Sequence, residues 1–238
     1  MVPLDFWLSE TIMQQIASQN NLSETAFFVK TSEDFHIRWF TPTVEVNLCG
    51  HATLASAYVI FEILGFQGDI ITFESKSGPL YVSTNGQEIF LNFPVVVAEE
   101  LKILTGIEEA MNAIPIQIYE VGDDVLLIFE NETTVANLNP DFGLLSKINA
   151  RGVIASSKSE TYDFVCRFFA PKVGVNEDPV TGSAFTKLIP YWSAILEKTK
   201  MNACQISQRR GDVRCELLGD RVLIGGKANL YLQGEISF

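Results

Sequence analysis

The apolar positions change period along the chain, and each change predicts an element. From Leu8 to Asn20, Ile12, Met13 and Ile16 recur at helical spacing behind Ser9 and Thr11, either of which suits a cap, so a surface helix is expected. The β-rich runs Thr25–Val29 and Phe35–Phe40, parted by a polar turn at 31–34, predict two strands. Ala52–Leu64 is apolar nearly all round, as in a helix buried inside a sheet, and Gly65 and Gly68 are placed to end it. Ile70–Glu74, Pro79–Ser83 and Glu88–Phe93 read as strands, the last two joined through Asn85-Gly86, a hairpin signal. A polar stretch over Glu99–Glu109 closes this half, with a boundary expected near residue 110.

The second half begins with strand-like Ile116–Tyr119 and Val125–Phe129 around the turn Gly122-Asp123-Asp124. Helical or irregular structure is expected over Thr133–Ile148, then strands at Val153–Ser156 and Phe164–Phe169. A second apolar helix spans Gly182–Leu196, followed by strands at Cys204–Ser207, Val213–Leu217, Val222–Ile224 and Ala228–Leu232, with a turn at Gly219-Asp220. Residues 1–110 and 111–238 thus form two halves.

The halves repeat. Arg38-Trp-Phe-Thr-Pro-Thr-Val-Glu-Val-Asn47 lies without a gap over Arg167-Phe-Phe-Ala-Pro-Lys-Val-Gly-Val-Asn176, so that Arg, Phe40/Phe169, Pro, both Val and Asn coincide at an offset of 129. Each copy is a strand, a loop with a proline, and a small-residue turn opening an apolar helix. Such a start offers unpaired N–H groups and the positive end of a dipole, a potential anion site. A cleft between two related halves is where a small charged metabolite would bind. The repeat also shows an asymmetry: two strands precede the first helix-linked pair in the second half, against only Met1–Trp7 in the first. One N-terminal hairpin is therefore missing by comparison, and either the start is internal to a longer gene product or a partner chain fills the sheet edge.

Composition narrows the chemistry. The 238 residues are 47% hydrophobic, ample for packed cores, and 17 basic against 29 acidic residues give a net charge of −12. That balance argues against a nucleic-acid partner and leaves anion binding to helix termini. Cys49, Cys166, Cys204 and Cys215 show neither CxxC spacing nor a nearby histidine pair, so no metal site and no disulfide framework is expected. The N-terminus has no signal-like pattern and no apolar run approaches a membrane span, so a cytoplasmic protein without membrane contact is expected.

Asn21-Leu-Ser-Glu-Thr-Ala-Phe27, Asn47-Leu-Cys-Gly-His-Ala-Thr-Leu-Ala-Ser-Ala57 and Glu177-Asp-Pro-Val-Thr-Gly-Ser-Ala184, in this order, resemble the phenazine-biosynthesis-like (PhzF-like) family from about Leu4 onward. The resemblance implies an α+β fold of the diaminopimelate-epimerase type: two pseudo-symmetric halves, each a mostly antiparallel curled sheet around one central apolar helix, with the active-site cleft between them. Members usually start roughly twenty residues earlier, which matches the gap in the repeat. It further implies an isomerase that shifts a proton within a small carboxylate-bearing, amino-acid-like metabolite without metal or cofactor, and, by family habit, a homodimer. Glu24 matches the family's catalytic carboxylate; His51, Asp178 and Ser183 match supporting residues; Gly50 and Gly182 match the backbone donors at the helix starts.

The residues allow blander roles beside these. Glu24 could be a turn residue, but a shielded carboxylate between a helix and a strand suits a shuttle that first takes and later returns a proton. Asp178 precedes Pro179 at the second helix start, where an N-cap is the structural alternative to orienting a substrate amine or hydroxyl opposite Glu24. His51 would hydrogen-bond a ligand carboxylate or relay its proton, and Ser183 beside Thr181 and Gly182 would add a hydroxyl to the anion site. Cys49 lies opposite Asp178 in the ungapped repeat, so it is either a small packed residue, a substrate contact, or a low-pKa thiol at a helix start. The last option supports a rival reading, an epimerase with Cys49 and Asp178 as opposed bases. The missing hairpin supports another, a catalytically inert small-ligand-binding protein. Arg38 and Arg167 read as sheet-surface charges outside the site.

Overall fold

A computed structural model describes residues 1–236. It divides into two compact units, Met1–Leu91 with the chain from Gly225 on, and Asn92–Ile224.

In the first unit, β1 (Val2–Leu4) leads to α1 (Glu10–Asn20), then β2 (Thr25–Lys30), β3 (Phe35–Phe40), the short β4 (Glu45–Val46), α2 (Gly50–Tyr58), β5 (Ile70–Glu74), β6 (Leu80–Thr84) and β7 (Ile89–Pro94). Ser9 supplies the expected cap of α1, accepting from the Ile12 N–H at 3.3 Å. Parallel β1–β2 and β3–β5 alternate with antiparallel β2–β3, β3–β4 and β5–β6. β2 is buried on both faces. Phe27 packs with Met13, Ile16 and Ala17 of α1, and Ala26 and Phe28 alternate to the other side, the side of α2. After Tyr58, α2 widens into a π turn over Val59–Ile63, and Gly65, at φ +68, turns the chain out of it.

The second unit adds β8 (Glu99–Leu101), α3 (Ile107–Met111), the hairpin β9 (Gln117–Val121) and β10 (Asp124–Ile128), α4 (Glu132–Ala136), α5 (Phe142–Leu145), β11 (Gly152–Lys158), β12 (Phe164–Ala170), β13 (Val175–Asp178), α6 (Gly182–Leu196), β14 (Lys200–Gln205), β15 (Gly211–Leu218) and β16 (Arg221–Gly226). Its pairings reproduce those of the first unit: β10–β11 parallel, β11–β12 and β12–β13 antiparallel, β12–β14 parallel, β14–β15 antiparallel. Phe35 of β3 and Phe164 of β12, 129 apart, both pair with the parallel strand that follows the helix. The repeat seen in the sequence is thus a repeat of topology. β1 takes the place that β10 holds, and β9 has no counterpart ahead of it.

Two expectations are corrected. The polar stretch near 99–109 belongs to the second unit: Glu99 pairs with Glu120 on β9, and Ile107, Ala110 and Met111 are buried in that unit's core, so the passage between units falls inside β7 rather than near 110. Ala228–Leu232 is not a strand; Leu230, Tyr231 and Leu232 are exposed and the chain there takes no ladder bonds. The expected hairpin through Asn85-Gly86 is present between β6 and β7, as a four-residue turn in which Asn85 Oδ1 accepts from the Gln87 and Glu88 N–H groups.

Pro190 lies inside α6. It has no N–H to offer the Thr186 carbonyl one turn back, and the Val96 N–H fills that place at 3.1 Å. No helix among the described residues is long and apolar enough to cross a membrane.

Candidate active site

Glu24 is placed by the end of α1. Asn21 adopts left-handed backbone at φ 48, its N–H closes on the Ala17 carbonyl, and the helix stops. Three residues later Glu24 stands immediately before β2, with Thr25 tied back to Asn20 by a 3.2 Å hydrogen bond. Its side chain is 20% exposed, and Oε2 is closed off from solvent.

Cys49 is the N-cap residue of α2, yet its side chain makes no capping bond. Its carbonyl accepts instead from the Thr53 N–H at 3.0 Å and from Thr53 Oγ1 at 2.6 Å, which fixes the first turn. Gly50 and His51 follow. His51 Nε2 lies 3.1 Å from Glu24 Oε2 and 3.7 Å from Cys49 Sγ, and Nδ1 is 3.8 Å from the same sulfur. The Glu24 contact has ion-pair distance without good hydrogen-bond direction, so Oε2 keeps a lone pair available.

Burial would pull the His51 imidazolium down, but the adjoining Cys49 sulfur and the Glu24 carboxylate outweigh it and hold the His51 pKa above the usual imidazole value. Burial pushes the Cys49 thiol up, against the lowering influence of His51. Of the roles open to Cys49 in the sequence, the low-pKa thiol at a helix start is therefore not what the fold produces, and the small packed residue is. Desolvation exceeds the lowering influence of His51 because Cys49 is only 7% exposed.

The second unit builds its own helix start. Asp178 ends β13, and Thr181, not Asp178, is the N-cap residue of α6. Thr181 Oγ1 donates to Asp178 Oδ2 at 2.6 Å and so leaves the helix uncapped by any side chain. Buried Gln205 locks this turn: its Oε1 accepts the Thr181 N–H at 2.8 Å, and its Nε2 donates to the Asp178 carbonyl at 2.7 Å. Gly211 lies under the same turn, where an added Cβ would come within 2.2 Å of Val180. The helix starts Gly50 and Gly182 stand 132 apart rather than 129, so Cys49 corresponds to Thr181 and His51 to Ser183. The pairing of Cys49 with Asp178 inferred from the ungapped repeat is corrected accordingly.

Four charged residues escaped the sequence reading. Asp124, fully buried, receives Arg151 at 2.5 Å and Lys187, which also reaches Asp123 at 3.2 Å. Arg151 further donates to Ser183 Oγ at 3.2 Å while its guanidinium lies over the Phe168 ring. Arginine only donates, so Ser183 Oγ accepts here and its own proton points elsewhere, available to an anion. The signal was Lys187 itself: a lysine within an apolar helix needs a buried counter-charge.

Arg38 and Arg167 are not surface charges. Arg38 makes paired 2.7 Å bonds to Glu45 on β4, and Arg167 binds Glu177 on β13 at 2.7 and 2.9 Å. Each also lies over its repeat-related phenylalanine, Phe40 or Phe169. In each unit the arginine braces the short strand that feeds the helix start.

The family described as phenazine biosynthesis-like protein matches residues 2–234. An uncharacterized isomerase of Pseudomonas aeruginosa is 45% identical over 98% of this chain and 90% of its own length, and one of Halalkalibacterium halodurans is 43% identical over 98% and 87%. The crystal structure of a PhzF-family protein from Enterococcus faecalis superimposes with a TM-score of 0.96 at 43% identity, covering 99% of this chain and 91% of that one. A predicted epimerase from Pseudomonas aeruginosa shares the fold at 17% identity, with a TM-score of 0.72 over 99% of this chain and 91% of that one. The fold is thus the mixed α+β, diaminopimelate-epimerase-like one, and the chain belongs to the phenazine biosynthesis-like (PhzF-like) family.

Proposed function

We propose that the chain is an isomerase that moves a proton between carbons of a small, carboxylate-bearing, amino-acid-like metabolite. The observation that carries this reading is the shielded Glu24 carboxylate held beside His51 at the uncapped start of α2. Glu24 Oε2 takes a proton as a substrate C–H bond breaks. The electron pair shifts into the neighbouring unsaturation, and the same carboxyl returns the proton at another carbon. Nothing is gained or lost overall, so neither oxidant nor reductant is required. The His51 imidazolium offsets the charge that moves. The N–H groups opening α2 suit a carboxylate group, and in the second unit those opening α6, with the Ser183 hydroxyl, suit another, while the Asp178 carboxylate suits an amine or hydroxyl. Relatives named as isomerases agree with this class.

The test is proton exchange in D2O, followed by NMR, with a panel of small unsaturated and α-amino acids including a dihydro-hydroxyanthranilate. Deuterium should enter a compound with the native chain and not with Glu24→Gln. Exchange that continues in Glu24→Gln removes Glu24 from the mechanism.

A further inference from the structure

We propose that Glu24, Cys49 and His51 form an inhibitory site for a thiophilic divalent cation of the zinc class. One carboxylate oxygen, one sulfur and one imidazole nitrogen lie within 4.8 Å of one another. All three come from the first unit: two from the opening of α2 and one from the residue ahead of β2.

The spacing suits a single ion. Bonds of about 2.3 Å to sulfur and about 2.0–2.1 Å to nitrogen and oxygen, at tetrahedral angles, set sulfur and nitrogen about 3.5 Å apart and nitrogen and oxygen about 3.4 Å apart. The corresponding separations here are 3.7 Å and 3.1 Å, both measured from His51 Nε2. The sulfur is as near to Nδ1 as to Nε2 and lies within 4.8 Å of the carboxylate oxygen, so a turn of the His51 ring and a closing of sulfur toward oxygen, to about 3.5 Å, make the cluster three ligands of one ion, with a fourth position left for water. Glu24 Oε2 brings a lone pair that no hydrogen bond of good geometry occupies, and the partly exposed His51 ring gives a way in.

The charge balances as well. On binding, Cys49 releases its thiol proton and His51 its Nε2 proton to solvent, and no electrons are transferred. The resulting thiolate and carboxylate together neutralise a dication, and the chain's charge of −12 enriches cations around it. Magnesium and calcium, which demand six or more oxygen ligands, find no such shell in this donor set. The cation is therefore a competitor rather than a cofactor. Its inhibitory effect rests on the proposed role of Glu24, because a ligated oxygen cannot take a proton; its binding does not.

The test uses the full chain, freed of metal by chelator. Zinc is titrated by calorimetry and cobalt(II) by absorption, with magnesium as control. One zinc per chain is expected, with a sulfur-to-cobalt charge-transfer band in the near ultraviolet and no response to magnesium. Cys49→Ser should abolish the band. Glu24→Gln, which keeps the side chain's shape, should weaken zinc binding by at least the tenfold to hundredfold that altering a supporting group costs. No uptake, a cobalt complex without the sulfur band, or undiminished binding in both variants overturns the site. Zinc should also stop deuterium exchange and a chelator restore it; exchange that continues at one bound zinc overturns the inhibition. If the metal-free chain exchanges no compound at all, the isomerase reading has failed, while the binding titrations still decide the site.

Discussion

Glu24 Oε2 and His51 Nε2 lie 3.1 Å apart although 27 positions separate them in the chain. One is delivered by the break at Asn21 that ends α1, the other by the first turn of α2, and each break is local. Their meeting makes a shielded carboxylate with a cation at its side, and the predictions begin there.

Glu24→Gln preserves shape and removes the proton acceptor. Deuterium exchange should fall by about 100- to 10,000-fold, the usual worth of a positioned general base. Thermal unfolding run beside it should show a folded protein.

His51 has its pKa raised in the folded state. A raised pKa contributes stability that is fully present below the unfolded imidazole value of about 6.5 and is lost as pH rises through the folded value. Denaturant unfolding of the native chain and of His51→Gln at a series of pH values should therefore show the native chain's advantage shrinking toward alkaline pH. An advantage that grows with pH would contradict the pairing.

Arg38 tests the brace. Its Glu45 partner is held below the ordinary carboxylate range, first by the Arg38 hydrogen bonds against desolvation, then by Lys76. A depressed carboxylate contributes stability present above its unfolded pKa and lost as pH falls through the folded one. Arg38→Met should cost about 1–3 kcal/mol, because Glu45 loses its paired bonds in a half-buried place, and should flatten the acid side of the stability profile. Urea unfolding at neutral and acid pH measures both effects.

Arg151 tests the orientation of Ser183. Arg151→Met should raise KM about tenfold, the worth of one charged hydrogen bond, with a smaller change in kcat. In a Ser183→Ala background the same substitution should change KM little. Additive effects across that double-mutant cycle would mean that Arg151 does not act through Ser183.

Much of this was legible in the sequence. Ser9 as a cap, the two apolar helices, the hairpins and the repeat around Arg38 and Arg167 follow from spacing, because helical and strand periods and turn residues act within a few positions. The residues now gathered at the opening of α2, Glu24, Cys49, Gly50 and His51, stood within motifs visible in the chain. Asp123, Asp124, Arg151 and Lys187 were not legible as a group. Lys187 reaches Asp124 across 63 positions, and no periodicity records such a pairing.

The sequence by itself determined the strands and two apolar helices, the duplicated strand–helix unit and the chemical types available at each helix start, since backbone preference and burial pattern are written locally; the α+β class came from the family resemblance of its motifs. Tertiary structure alone decided three things. Three extra residues before α6 break the register of the repeat, so Thr181 rather than Asp178 opens that helix. Burial, a property of everything packed around Cys49, leaves its thiol weakly acidic despite its place at a helix start. Arg38 and Arg167 become braces rather than surface charges because β4 and β13 fold back beside them, which depends on strand pairing that only the completed sheets provide.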